Sequence, residues 1–277
     1  MRLMLANSLE RLGTDDGLAL DLGDVHIWFA ALDYGEAIVE RLGGGICAEE
    51  RQRAMRFRFK RDRQRFIVAR AVLREILGLY LGVEPQELSF RYGQFGKPAL
   101  AGGLDHSQVR FNVTHSGGSA LYAVVKGREV GIDLELLQPL TDMWRMAQDC
   151  FSASENAFLE VQPEQKKLRA FFDGWTRKEA FLKATGYGLS LSPKVVEVSL
   201  LPGTGPRKLE VRGDLGERRK WTLVSLAPHS SYSAALVVEG RDPHVMCGEW
   251  VAEDLEQASG CSQGLRTYRT MARKPRR

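Results

Sequence analysis

Cysteine is scarce in this 277-residue chain. Cys47, Cys150, Cys247 and Cys261 stand far apart and form no C-x-x-C pair, which argues against a disulfide framework and a cysteine-based zinc site. A reducing compartment, the cytoplasm, is the expected setting. Long apolar runs are missing as well: no stretch approaches the roughly 20 residues that span a bilayer, and the N-terminal MRLMLANSLERLG runs into Glu10, Asp15 and Asp16 around its short apolar start, which breaks any signal-peptide core. Nor does the sequence carry a large excess of charge. A formal +4 with a pI near 8.9 suggests an anionic partner but does not name one.

What is present is enough apolar residue, 44%, to bury a real core. After an irregular segment over 1–24, Val25 to Leu32 reads as a strand. A helix is expected to start near Ala48. Arg65 to Leu81 repeats apolar residues at helical spacing through Phe66, Val68, Ala69, Val72, Leu73, Ile76, Leu77 and Tyr80. An FGKP loop at 95–98 follows, then a strand running into THSGG, and then 119–125 and 130–136 as a hairpin around the turn KGRE. The second half repeats the plan. Residues 169–185 are helical, GYGLSLSP is a loop, and 195–200, 208–212, 221–226 and 233–238 have the pattern of strands. The expected fold is α+β in two similar halves, 25–137 and 138–245, followed by a basic, Pro-containing tail over 246–277.

Four constellations carry possible chemistry. In G131-I-D-L-E135 the period of two places Asp133 and Glu135 on one face of a strand, with Ile132 and Leu134 toward the core. Two carboxylates so close invite a divalent cation, although a wet acidic face explains the same spacing. In W175-T-R-K-E-A-F-L-K183, Trp175, Glu179 and Lys183 fall four residues apart on one helical stripe. The bland reading is a surface ion pair beneath a core tryptophan; Ala180 and Ala184 allow another element to approach.

The third constellation, F111-N-V-T-H-S-G-G118, is a strand ending in small residues that suits phosphate, with His115 as a donor; a structural histidine is the plainer alternative. HSGG lacks the G-x-S-x-G elbow of a serine hydrolase. Last, residues 51–74 hold ten cations, among them Arg53, Arg65, Arg70 and Arg74, against Asp62 as the single acid. A solvated helix face, a polyphosphate pocket and a nucleic-acid surface all remain compatible with this run.

Taken in order, the Arg-rich helix, FGKP, NVTHSGG, VGIDLE and WTRKEAFLKATGYGLS resemble the 4'-phosphopantetheinyl transferases, particularly the surfactin-synthetase-activating (Sfp) type, over about residues 25–240. The resemblance implies two α+β halves related by a pseudo-twofold, coenzyme A in the cleft between them, and Mg²⁺ gathered by Asp133, Glu135 and Glu179. It further implies Lys183 on the pyrophosphate, Thr114 and His115 on phosphate oxygens, Lys97 and Pro98 beside the adenine and phosphates, and Arg53 and Arg65 at the 3'-phosphate. Glu179 and Lys183 are then the catalytic pair, and the partner is an apo acyl or peptidyl carrier protein. This sequence departs from the family at Glu50, where a basic residue is common, and at Phe95, where tyrosine is common. A monomer is expected, with neither membrane nor nucleic acid as partner. A coenzyme A or nucleotide pyrophosphate hydrolase is the alternative enzyme, and a basic nucleic-acid-binding module the alternative of another class.

Overall fold

The structure, a computed structural model, describes residues 10–11, 18–203, 206–211 and 219–252. In chain order the elements are β1 (Glu10–Arg11), β2 (Asp24–Ala31), α1 (Glu36–Gly43), α2 (Ala48–Ala54), α3 (Lys60–Leu81), β3 (Ser89–Tyr92), β4 (Pro98–Ala101), β5 (Val109–Ser116), β6 (Ser119–Lys126) and β7 (Val130–Leu136). There follow α4 (Met143–Cys150), α5 (Ala153–Glu160), α6 (Glu164–Thr185), β8 (Val196–Glu197), β9 (Pro206–Val211), β10 (Trp221–Leu226), β11 (Tyr232–Glu239) and β12 (His244–Trp250).

The fold is mixed α+β, built as four layers. One five-stranded sheet runs β1-β12-β2-β6-β5 and the other β7-β11-β10-β9-β8. Alternate residues of β2 and β6, including Ile27, Phe29, Leu121 and Ala123, meet Ile132, Leu134, Leu236 and Val238 between the sheets. The opposite faces are covered by helices. Val68, Val72 and Ile76 of α3 pack on Trp28, Tyr122 and Val124, while Phe171, Phe181 and Leu182 of α6 pack on Ala235 and Val237. Each large side chain removed from water in this way contributes about 2–3 kcal/mol. Both long helices stop at glycine in a left-handed conformation, Gly82 at φ 65° and Gly186 at φ 75°, where a Cβ would be strained. Among the described residues no helix is long and apolar enough to cross a membrane.

Three expectations are corrected. Strands 119–125 and 130–136 do not form a hairpin: β6 pairs with β2 and β5, whereas β7 pairs with β11. β6 is buried through nearly its whole length, and β7 sets Ile132 and Leu134 against the same intersheet core, so the two strands stack across sheets instead of pairing edge to edge. The hairpin turn falls at Gly117–Gly118 instead, between β5 and β6. The expected strand 195–200 shortens to Val196–Glu197, because Val198 N leaves the ladder to donate to Glu155 Oε1 at 2.7 Å; of the expected strand 208–212, Arg212 lies outside the described residues.

The expected tail also begins too early. Residues 246–250 belong to β12, which runs parallel to β2 and also pairs with β1. Val245 and Cys247 enter the intersheet core and Trp250 the opposite core; Gly248 sits where a Cβ would press on the Trp28 ring. The rest of that segment, 253–277, lies outside the described residues.

Candidate active site

The two sheets meet at the edge strands β5 and β7, and side chains of β5 stitch them. Asn112 Oδ1 accepts from Ile132 N at 2.9 Å, and Ser116 Oγ accepts from Leu136 N at 3.0 Å. Residues 112, 114 and 116 share one face of β5 by the strand's period of two. Between the two stitches Thr114 Oγ1 donates to Asp133 Oδ1 at 3.2 Å, while Ser116 Oγ donates to Glu135 Oε2 at 2.8 Å. The seam thus holds both β7 carboxylates, Asp133 fully buried and Glu135 half-buried.

Helix α6 closes on this seam because its residues there are small. A Cβ at Gly131 would collide with Ala180 O and Ala184 N, so the helix and β7 approach backbone to backbone. That approach carries Lys183 Nζ to 2.5 Å from Asp133 Oδ1 and 3.2 Å from Thr114 Oγ1. Glu179 lies one turn earlier, within the field of Asp133 and Glu135. One turn earlier still, Trp175 stacks on Phe171 with ring centroids 6.0 Å apart and helps to hold Glu135. The expected stripe of Trp175, Glu179 and Lys183 therefore faces the expected pair Asp133 and Glu135.

The cluster is short of positive charge. Burial first, then Asp133, raises the pKa of Glu135 above the ordinary carboxylate value; the same two causes, in the same order, raise Glu179. Asp133 Oδ2 is buried without a hydrogen-bond partner, an arrangement that ordinarily costs stability. Lys183 is the cation at hand. No group of three His, Cys, Asp or Glu among the described residues stands ready to hold a metal ion, yet the donor set is all oxygen and of the kind hard divalent cations take. The orphaned Oδ2 and the mutually repelling Glu135 and Glu179 fit such a cation chemically.

Cationic and polar groups extend outward from the cluster. His115 keeps solvent contact in a cleft crowded by protein; that crowding first, then the Lys183 ammonium, lowers its pKa. His115 and Gly117 line a cavity of about 200 Å³ with Arg65, Asp62, Phe57 and Phe66. Arg65 enters it through a bidentate pair with Asp33, both N–O distances 2.7 Å. Gly118 is needed beside this pair, since a Cβ there would press on the Asp33 carboxylate.

Arg53 is not in that cavity. It stacks over Phe66 at 5.4 Å and lines a separate cleft of about 530 Å³ with Glu50, Arg74, Phe90 and Tyr92. Pro98 pairs with Tyr92 in the β3–β4 ribbon and so adjoins the same cleft. The Lys97 ammonium points elsewhere: it donates to Glu129 Oε2, Val130 O and Ala184 O at 3.0, 3.1 and 3.2 Å. Its three donors are thus committed to pinning the start of β7 to the end of α6.

Three residues around the site escape the sequence reading. Ser116 was signalled by its period-two relation to Thr114. Asp33 carried no local signal, because its partner is 32 residues away. Glu50, noted as a departure, proves to be a buried counter-ion: its Oε1 accepts from Arg70 and its Oε2 from Arg74, each Nε at 2.7 Å. Two of the ten cations in 51–74 are thereby internal.

Known proteins resemble this chain over most of its length. Residues 129–237 match the 4'-phosphopantetheinyl transferase superfamily, and residues 39–127 match the 4'-phosphopantetheinyl transferase N-terminal family. The chain is 40% identical over 223 residues to the 4'-phosphopantetheinyl transferase HetI of Nostoc sp., covering 80% of this chain and 91% of that protein. It is 28% identical over 202 residues to the L-aminoadipate-semialdehyde dehydrogenase-phosphopantetheinyl transferase of Xenopus laevis, covering 69% and 67%. To the 4'-phosphopantetheinyl transferase Sfp of Bacillus subtilis it is 28% identical over 152 residues, 55% and 65% of the two chains. The chain belongs to the 4'-phosphopantetheinyl transferase family.

Proposed function

We propose that this enzyme transfers the 4'-phosphopantetheine group of coenzyme A to a serine of an apo acyl or peptidyl carrier protein, in a Mg²⁺-dependent reaction that releases 3',5'-ADP. The observation that carries the reading is the seam cluster, in which Asp133, Glu135, Glu179 and Lys183 converge from two sheets and one helix. Asp133, Glu135 and Glu179 are the residues that would hold magnesium, and Mg²⁺ bound there supplies charge neutralisation for a pyrophosphate.

In the reaction the serine Oγ attacks the β-phosphorus of coenzyme A. The bond from that phosphorus to the bridging oxygen breaks, and its electron pair leaves with 3',5'-ADP. Glu179 takes the serine proton directly or through water. Lys183 faces the charge that builds on the pyrophosphate, and fixing donor and acceptor in place supplies much of the remaining acceleration. Thr114 and His115 are assigned to phosphate oxygens and Arg65 to the 3'-phosphate. Arg53, with Pro98 beside it, is assigned to the nucleotide end through the neighbouring cleft. Lys97 contributes there by holding the loop in place, since its ammonium is already bound. The enzyme is of the surfactin-synthetase-activating type, cytoplasmic and monomeric in this reading.

The experiment is intact-mass analysis of an apo carrier protein incubated with coenzyme A, Mg²⁺ and the enzyme. The expected outcome is a mass gain of one phosphopantetheine group, abolished by a chelator and by Glu179→Gln. Cleavage of coenzyme A without a mass gain on any carrier would assign the site to pyrophosphate hydrolysis instead.

A further inference from the structure

The far side of α6 carries a second charge imbalance, opposite in sign to the one at the seam. Arg177 stands two residues before Glu179, roughly half a turn around the helix, and its side chain reaches toward β8, β9 and β10. There it lines a cavity of about 150 Å³ with Glu197, Ser199, Arg207, Lys208 and Ser225. Arg177 is only 4% exposed, yet no carboxylate lies within ion-pair distance of it among the described residues. A buried guanidinium without a paired acid is costly. Burial, the largest influence, lowers its pKa; Asp173 one turn back opposes this, and Arg207 and Arg169 add to it. The Asp173 carboxylate is already engaged, accepting from Arg169 Nε at 3.0 Å and from Ser233 Oγ at 2.6 Å.

The donors around this cavity are left open. Among the described residues Arg177 makes one hydrogen bond, from Nη1 to Ser199 O, which leaves the rest of its fork for the cavity. Arg207 and Lys208 are exposed at the mouth and have no carboxylate partner among the described residues. Gly203 lets the Arg207 guanidinium rest on the backbone, since a Cβ there would stand 3.2 Å from Nη2 and 3.3 Å from Cζ. Ser199 Oγ accepts from Leu201 N at 3.2 Å, so its proton is free to donate. The lining acid, Glu197, turns to the start of α5 and accepts from Ser152 Oγ at 3.2 Å and from Ser154. Three cations against this one acid leave an excess of two positive charges. A phosphate carries close to two negative charges at neutral pH and accepts from several donors at once, whereas a monocarboxylate would leave one cation unmatched.

We propose that this cavity is a phosphate-binding site separate from the candidate active site, in which Arg177 and Arg207 grip a tetrahedral oxyanion and Lys208, Ser199 and Ser225 complete its shell. A free phosphate ion and the monoester end of a larger molecule present the same oxygens to it. An occupant bridges α6 to β8, β9 and β10 behind Glu179. Because the unfolded chain has no such cavity, the occupant stabilises the folded one by mass action.

The test is the thermal midpoint of the full chain titrated with inorganic phosphate at constant ionic strength, without coenzyme A or Mg²⁺. Arg65→Gln serves as the background, so that binding at the seam-side cavity does not contribute. The expected result is a saturable rise of about 2–4 °C once phosphate exceeds its Kd about tenfold, with no rise from acetate. Adding Arg207→Gln and Lys208→Gln, both at exposed positions, removes that rise. In the otherwise wild-type chain the same two changes leave the KM for coenzyme A within about twofold, as expected of separate sites. Phosphoserine matching inorganic phosphate would assign the site to a monoester end, and a response to inorganic phosphate alone would assign it to the free ion. A rise that survives Arg207→Gln with Lys208→Gln is general exclusion of the salt from the protein surface and would overturn the site. Absence of a saturable rise, or an equal rise with acetate, would overturn it too. A severalfold increase in the coenzyme A KM from the paired change would return these cations to the nucleotide and overturn the inference.

Discussion

Two buried acid clusters in this molecule begin from the same disadvantage and end in opposite states. Glu50 and Glu179 are both pushed by burial toward the neutral form. At Glu50 the guanidinium groups of Arg70 and Arg74 overcome that push and hold its pKa below the ordinary value. At Glu179 the neighbouring Asp133 adds to the push, Lys183 only partly offsets it, and the pKa rises. Glu50 has each oxygen bonded, while Asp133, at the centre of the other cluster, keeps a buried oxygen with no partner. A fully paired buried acid serves the fold. An under-paired group of acids is the arrangement functional sites maintain.

That contrast breaks first on activity. Glu179→Gln is expected to lower kcat for carrier modification by about 10²–10⁴-fold, the usual worth of a positioned base. Its thermal midpoint should not fall, because one of three crowded carboxylates has been neutralised. Equal losses of melting temperature and activity would place Glu179 with the structural acids.

On the other side, Glu50→Gln strands the buried Arg74 and the partly buried Arg70 and should cost about 3–5 kcal/mol in chemical denaturation. The KM for the carrier protein should hardly move in the folded fraction. A stable Glu50→Gln protein would mean that Arg70 and Arg74 find other partners.

A smaller effect isolates the packing that brings the seam acids together. Gly131→Ala forces Ala180 and Ala184 away from β7, and overpacking of this kind costs about 1–3 kcal/mol. Because Glu179 and Lys183 move with the helix, activity should fall by more than stability accounts for, as rates at a temperature well below the melting midpoint would reveal.

The smallest effect is a difference of sign with pH. Glu135 and Glu179 hold protons more tightly folded than unfolded, so their contribution to stability declines as pH rises from the ordinary glutamate value of 4.5 through their raised folded values. Glu50 does the reverse: its contribution is present above the ordinary value and lost as pH falls through its lowered folded value. Melting temperatures of wild type and Glu179→Gln in metal-free buffer between pH 4.5 and 8 should converge at the acid end and separate toward the basic end, with the variant higher. Parallel curves would contradict the raised pKa.

The sequence exposed which side chains would share a face better than it exposed how the strands connect. Asp133 and Glu135 were legible from a period of two, and Trp175, Glu179 and Lys183 from a period near four, because these regularities are local. Ala180 and Ala184 hinted at a close helix contact, and Gly131 supplies its other side. What was not legible depends on distant partners. Nothing within 119–136 says whether two apolar strands will pair at their edges or stack across sheets. β12 has a glycine and a glutamate in its second half, so its alternation becomes visible only when it is laid beside β2. The commitment of the Lys97 ammonium to Ala184 O, 87 residues away, is likewise a property of the assembled chain.

The seam between β5 and β7 has a mechanical consequence. Two continuous sheets meet at a joint stitched by individual side chains, Asn112 and Ser116, and not by a backbone ladder. Such a joint can widen or narrow without unzipping either sheet. Since Thr114 and Ser116 on one lip hold Asp133 and Glu135 on the other, the gap also sets the spacing of the carboxylates. Any motion that spreads the two lips therefore changes how strongly the acids repel one another.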